Sequence, residues 1–397
     1  MPANTLSAVR LEPVHPVAPS PLAAGEVLKA EVVSSITEIG RTAWDACAPG
    51  EAEAYDYLLS VEQAGIDGFE WCYVAVQAQG RIVCVMPAFL SQYALETTLD
   101  PGTLRTIIGR LRTIWPKVLT FPLACLGSPC TETGTPAFHP DVPDDLQPRV
   151  LDVLLAAFRA HARARQCTLL GIKDMPLPLR PELADVVAAH GYAELGGMPT
   201  AWMDIDFGSM EEYFSRLSAG TRKDMRRKLK VREAVRIEQR TELGDLLPRV
   251  MALYRDTRQR SEWQFEELTP AYFEGLLRNM PGRSFCTLYF VGDELLAANL
   301  MVHDGGVLID KFFCMDAEKG RPYNLYYLSW FTNIEHCLAH GFARYQSGQA
   351  YYRNKVRLGS SLTRNAMFFQ HASPIIQAVL KRIAPYLAAD DADGAMS

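Results

Sequence analysis

The sequence predicts an α/β (α+β) protein built of two related domains in tandem, and three observations carry that expectation. Short runs rich in β-branched and aromatic residues alternate with segments whose apolar residues recur at helical spacing. The order of elements then repeats. A hairpin (Tyr73 to Phe89; Thr287 to Val302) is followed later by a helix and directly by a strand (Cys167 to Ile172; Phe342 to Ser347). The repeat is far too long for a solenoid, and 397 residues are enough for two separate cores. The expected division is a mobile leader (1–29), an N-terminal domain (30–200), a C-terminal domain (201–388) and a disordered acidic tail (389–397).

In the first half, Trp44 to Ala64 reads as largely helical and ends at Gly65. Trp71 to Val76 and Ile82 to Met86 flank a Gln79-Gly80-Arg81 turn and form a hairpin. A helix is expected at 100–115, strand and loop from Lys117 to Cys130, and a surface loop from Pro129 to Asp145, where Gly134, Pro136, Pro140 and Pro143 punctuate the chain. Val150 to Arg165 is helical, with Leu151, Leu154, Leu155 and Phe158 facing inward. A short helix from Leu183 is closed by Gly191, and Trp202 to Phe207 is extended. The second half opens on Ser209-Met210-Glu211-Glu212, a capping box. A very basic helix (Thr221 to Val235), a third (Leu246 to Arg260) and a fourth beginning at Thr269-Pro270 follow. A hairpin across Gly292-Asp293-Glu294 leads to the strand Val307 to Phe313, and the last helix spans Ile375 to Leu387.

Composition narrows the function classes. A net charge of −6 gives no general pull toward DNA or a membrane surface. The nine cysteines are odd in number, embedded in apolar runs and irregularly spaced, which points to reduced thiols in the cytoplasm. No C-x-x-C pair occurs and the histidines are scattered, so no metal site is expected. No apolar stretch approaches a membrane span, and the N-terminus lacks a basic-then-apolar signal.

The stretch from Val307 to Gly348 carries the chemistry. Asp310 and Lys311 lie inside an apolar strand, where a charge needs a reason. A basic turn, Glu318 to Asn324, precedes a helix marked by Tyr327, Phe331, Ile334 and Leu338 and stopped at Gly341; another strand follows. A strand, a glycine-containing basic turn and a helix start form a known cradle for a phosphorylated carrier.

The residues Trp202-Met203-Asp204-Ile205, Leu217 to Lys228 (with its Arg-Lys-x-x-Arg-Arg run) and Gly341 to Gly348 resemble the FemAB-like branch of the GNAT acyltransferase superfamily, in particular bacterial peptidoglycan biosynthesis or recognition proteins. The resemblance covers roughly Ala43 to His371. It implies two tandem GNAT-like domains, each a mixed, mostly antiparallel sheet flanked by helices, with the chemistry in the second. It also implies an acyl carrier lying between Asp310–Cys314 and Tyr345–Gly348, and a lysine after Gly348, here Lys355. Two departures stand out. Lys319 to Asn324 does not follow the Arg/Gln-x-x-Gly-x-Gly/Ala pyrophosphate pattern, and Gln346 stands where an acidic residue is frequent.

The candidate catalytic residues are accordingly Asp310, Tyr345 and Lys355. Asp310 reads as a base or as half of an ion pair. It alternates with Lys311 along the strand, so only one of the two is expected in the cleft. Lys355 is expected as a mobile, solvent-facing charge that meets a phosphate or a developing oxyanion. Lys319, Gly320, Arg321 and Asn324 are the candidate carrier-binding residues. Arg222, Arg226, Lys311, Gln346, Gln349 and Tyr352 are the candidate substrate-binding residues, although the basic helix holding Arg222 and Arg226 reads equally as a solvated face. The function expected is N-acyl transfer from coenzyme A or an acyl-carrier protein to a small amine or amino-acid-like acceptor, with no cofactor held permanently. The alternatives are a Fem-type aminoacyltransferase using aminoacyl-tRNA and a ligand-binding module without catalysis.

Overall fold

A computed structural model describes residues 22, 23, 25–94, 120–261 and 265–384. Residues 1–21 and 24 of the expected leader, the helix at 100–115 and the acidic tail lie outside the described residues, and the end of the leader is corrected, because Leu22 is buried and Leu28 and Lys29 belong to the first strand. The first sheet has the order β1-β2-β3-β4-β6-β15-β7, with a short β5 on β3. Its strands are β1 (Leu28–Val33), β2 (Phe69–Ala78), β3 (Arg81–Ala94), β4 (Thr120–Leu126), β5 (Ala137–Phe138), β6 (Leu169–Pro176), β7 (Ala193–Gly196) and β15 (Asn365–His371). The second sheet runs β14-β8-β13-β12-β11-β10-β9. It contains β8 (Thr200–Asp204), β9 (Arg236–Arg240), β10 (Ser284–Val291), β11 (Glu294–His303), β12 (Val307–Met315), β13 (Arg344–Gly348) and β14 (Ser361–Thr363). Each sheet is antiparallel except for one parallel pair, β4 with β6 and β12 with β13. The mixed, mostly antiparallel architecture expected from the resemblance is therefore present twice.

The chain crosses between the two sheets twice. β15, from the end of the chain, completes the first sheet between β6 and β7, although the linear division assigned 201–388 to the second domain. The crossing is tight, with three residues between β7 and β8 and one between β14 and β15. Asn365 locks it. Its Nδ2 donates to Glu132 O at 3.2 Å, Met198 O at 3.0 Å and Thr200 Oγ1 at 2.9 Å, and its carbonyl accepts from Gly197 N at 2.9 Å. Gly197 is needed here because a Cβ would stand 3.2 Å from Asn365 O. Backbone groups buried at the junction thus find partners within it.

Helices fill the faces. Gln147–Ala164 buries Val150, Leu151, Leu154, Leu155 and Phe158 against the first sheet, as its periodicity predicts. Leu325–His340 does the same for the second sheet through Phe331 and Ile334, and Gly341 ends it at φ 70°. The helix Tyr55–Gln63 of the first half packs on Pro270–Asn279 of the second. Tyr57 and Tyr272 join hydroxyls at 3.0 Å there, and Arg283 pairs with the buried Asp56 at 2.6 Å. One apolar cluster runs from Ile36 to Cys314 across both halves, so they share a core.

Several expected elements differ. The helix read over Trp44 to Ala64 is two, Arg41–Cys47 and Tyr55–Gln63, broken at Pro49-Gly50, where Gly50 takes φ 74°. The basic helix runs only over Ala219–Lys228 before tightening into a 3₁₀ segment, Leu229–Ala234, and β9 follows. The Gln79-Gly80 turn has both central residues at positive φ, the conformation a two-residue hairpin favours.

Candidate active site

In the second sheet, β12 and β13 pair in parallel over Val307–Ile309 and Arg344–Gln346, then separate. Both strands carry a bulge where they part. Lys311 is the extra residue against β11, whose pairing passes from Met301↔Asp310 to Leu300↔Phe312. Ser347 is the extra residue against β8, between Gln346↔Trp202 and Gly348↔Ala201. Bulges bend a strand and re-aim its side chains. The opening leads into a cavity of about 740 Å³ bordered by both halves. In the first sheet β4 and β6 pair in parallel as far as Leu126↔Ile172, and Lys173 and Asp174 just beyond that point border the same cavity.

Asp310 stands at the parting point. Its Oδ2 accepts from Asn299 Nδ2 at 3.1 Å, Tyr345 Oη at 3.1 Å and Asn333 Nδ2 at 3.4 Å. Asn333 also donates to Tyr345 Oη at 3.0 Å. Oδ1 has no protein donor among the described residues. Burial pushes the carboxyl up to about 6; the Asn299 bond, the Lys355 charge and the Tyr345 bond oppose burial, and Glu132 adds to it. The Tyr345 hydroxyl is held well above its usual range by burial and by Asp310, so it remains a neutral donor.

Lys355 corrects an expectation. It is buried rather than solvent-facing, and its ammonium donates to Ser347 O at 2.6 Å, Gly348 O at 2.8 Å and Gln349 O at 3.1 Å. An ammonium has three donors, and all three are committed. The lysine therefore fixes the end of β13 and leaves no proton for an oxyanion. Burial pulls it down to about 8 against the carboxylates of Glu132 and Asp310.

Lys311 is likewise tied. It pairs with Glu53, donates to Cys130 O at 2.9 Å and lies 4.9 Å from the Tyr57 ring centroid. The expectation that only one of Asp310 and Lys311 reaches the cleft is corrected: both border the cavity, Lys311 being the extra residue of the bulge. Gln346 is buried and donates to Glu132 Oε2 at 2.9 Å; Gln349 borders the cavity and donates from Nε2 to Met198 O at 3.0 Å. Tyr352 donates to Pro199 O at 2.9 Å, bracing the strand crossing.

Arg222 and Arg226 do not reach the cavity. Arg222 caps carbonyls of the preceding helix, Phe214 O and Ser215 O, both at 3.2 Å, and Arg226 lies exposed over the Phe214 ring. Of the expected carrier-binding residues, Lys319 turns away to Glu294 at 2.5 Å and Gly320 is buried against Leu325. Asn324, at φ 51°, starts the long helix and reaches Lys228 O at 3.5 Å. Arg321 borders the cavity and has no ion-pair partner among the described residues.

The first half supplies side chains that sequence reasoning missed. Lys173 and Asp174 form a buried pair, Glu53 holds Lys311, and Glu132 reaches across to Gln346 and Gln349. The expected surface loop from Pro129 is corrected at its start, where Cys130 and Thr131 are buried at the junction. Lys173-Asp174 interrupts an apolar strand just as Asp310-Lys311 does, and that signal was available. Asn299 and Asn333 were equally visible as amides in apolar surroundings. Glu132, in a turn-rich loop, carried no local signal.

Two pairs of parallel strands, one in each sheet, thus end at one cavity, with a carboxylate at the parting of one of them. Residues 219–356 match the family model described as Acetyltransferase (GNAT) domain. The fold of the chain is similar to that of FemX, with a TM-score of 0.53 and 14% identity over 79% of this chain and 90% of that one. It is also similar to a tandem GNAT protein from the clavulanic acid biosynthesis pathway, with a TM-score of 0.51 and 15% identity over 87% of this chain and 99% of that one. At these identities the likeness concerns the fold alone. No curated protein matches the sequence. Among the described residues no helix is long and apolar enough to cross a membrane.

Proposed function

We propose that the protein is an N-acyltransferase that moves an acyl group from a thioester of coenzyme A or of a carrier protein to a small amine or amino-acid-like acceptor. The observation that carries this reading is Asp310, which pairs a free oxygen with a carboxyl raised to about 6 and stands where β12 and β13 part. Such a group is ionised at neutral pH yet basic enough to take a proton. The acceptor nitrogen attacks the thioester carbonyl, and the C–N bond forms as the C–S bond breaks. The nitrogen's proton passes to Asp310, and the thiolate leaves to be protonated from solvent or from that carboxyl. Asn299, Asn333 and Tyr345 orient Oδ2, while Lys355 and Glu132 position the end of β13. In this reading Lys355 and Glu132 are positioning residues, and Arg321 is the cation left for a carrier phosphate. The nine free, buried cysteines support a reducing, cytoplasmic setting.

A second reading, aminoacyl transfer from aminoacyl-tRNA, draws on one observation. The segment expected to take coenzyme A's pyrophosphate is folded into helical turns over Ala317–Gly320 and Arg321–Tyr323, and Lys319 is paired within the protein. Incubation with a panel of acyl-CoAs, an acyl-carrier protein and charged tRNAs, each with a set of amines, followed by product mass, separates the readings. Acyl-amine product from the thioester arms supports the first, and product from the tRNA arm alone supports the second. No product from any arm would leave only ligand binding.

A further inference from the structure

Nearly every buried charge bordering the cavity is already matched. Lys173 is bound by Asp174 and Lys311 by Glu53, while Lys355 is spent on three carbonyls. Glu132 accepts from Gln346 and Gln349, and Oδ2 of Asp310 from three donors. Nearer the mouth, Arg258 pairs with Glu267 at 3.3 Å and Arg260 with Asp256 at 3.0 Å. Glu266 is the exception. It borders the cavity between the helices Leu247–Gln259 and Pro270–Asn279 and is half-buried. Its carboxyl takes its own backbone N–H and makes no hydrogen bond or ion pair to another residue among the described ones. Lys173, Lys311 and Arg258 act on it only through space.

A carboxylate that faces a cavity with no partner of its own is placed where a ligand can bring one. We propose that Glu266 binds a primary ammonium group of the substrate, distinct from the nitrogen that Asp310 serves. Of the cations bordering the cavity, Lys173, Lys311, Arg258 and Arg260 already have counter-charges, Lys355 is held by three carbonyls and Arg321 is exposed, so among the described residues no buried cation there awaits an anion, whereas Glu266 is bound by no cation. An ammonium is compact and brings three donors to a group that, once ionised, only accepts. Tyr254, Phe265, Tyr272 and Phe312 line the same cavity and give an alkyl spacer an apolar wall. The ammonium has two chemical sources: a diamine-like or basic amino-acid acceptor, or the α-amino group of an aminoacyl donor. The inference deepens the acyltransferase reading and rests on it only for which nitrogen reacts.

The test is calorimetric titration of the full chain with cadaverine, 1,5-pentanediol and 1-pentanol, a set of one chain length in which only the diamine brings an ammonium. A charge-assisted hydrogen bond is worth about 1.5–3 kcal/mol, so cadaverine should bind roughly ten- to a hundred-fold more tightly than the other two. In Glu266→Gln the three should bind alike, with the melting temperature kept. A parallel arm compares glycyl-CoA with acetyl-CoA; a glycyl preference that disappears in Glu266→Gln assigns the ammonium to the donor instead. If wild type separates neither set, or the separation survives Glu266→Gln, the proposal is overturned. Binding is read without turnover, so the two readings fail separately. A wild type that prefers the diamine but transfers no acyl group sinks the enzyme reading alone; one that turns over without any such preference sinks only the role of Glu266.

Discussion

Glu132 Oε2 accepts a hydrogen bond from Gln346 Nε2 at 2.9 Å, joining two residues 214 positions apart in the chain. Its other oxygen, Oε1, accepts from Gln349 N at 3.2 Å. One carboxylate of the first half therefore spans the bulge at Ser347, and with Lys355 it fixes the backbone where the second sheet opens. Hydrogen bonds to a charged group are worth about 1.5–3 kcal/mol. Glu132→Ala should lower unfolding stability by about that amount and reduce kcat/KM with it, measured by urea denaturation and steady-state kinetics on the same preparation. Loss of stability with full turnover would show that the clamp is structural only.

Asp310 sets the expected pH dependence. Its carboxyl is raised to about 6, so the base is protonated below that pH and kcat/KM should rise as pH passes through it. Asp310→Asn should remove that limb and lower kcat/KM by about 10²–10⁴-fold. The linkage sign is opposite for stability. A carboxyl whose folded pKa lies above its unfolded value contributes stability at low pH that is lost as pH rises through about 6. Above that pH, Asp310→Asn should be at least as stable as wild type in thermal melts.

Lys355→Met should destabilise the protein. It leaves Ser347 O, Gly348 O and Gln349 O without their donor, at about 1–3 kcal/mol for an unsatisfied buried group. Because the ammonium is drawn down to about 8, the wild-type protein should also lose activity above that pH, as a neutral amine has one donor fewer for the three carbonyls. A Lys355→Met protein with an unchanged melting temperature would contradict the buried clamp.

Lys311 and Glu53 offer a double-mutant test of whether that lysine is structural. The pair is buried, with side-chain exposures of 5% and 11%, so removing one partner strands the other. Lys311→Met alone should cost about 3–5 kcal/mol, and adding Glu53→Gln should restore part of it. A large rise in KM without loss of stability would instead return Lys311 to substrate binding.

The sequence by itself determined much of the local structure and the mixed α/β fold class. Hairpins, amphipathic helices and the Gly341 stop follow from periodicity and turn chemistry, which act over a few residues. Asp310 was legible because a charge in an apolar strand is conspicuous wherever the strand ends up. Only the tertiary structure decided what those groups do. It returned β15 to the first sheet, brought Glu132 and Glu53 to partners more than 200 residues away, and turned Lys355 from an expected surface charge into a buried clamp. It also withdrew Arg222 and Arg226 from any cleft. The physical reason is that whether a charge is free or spent depends on which donors and acceptors lie within about 3 Å, and that distance is set by chain crossings that no local pattern encodes.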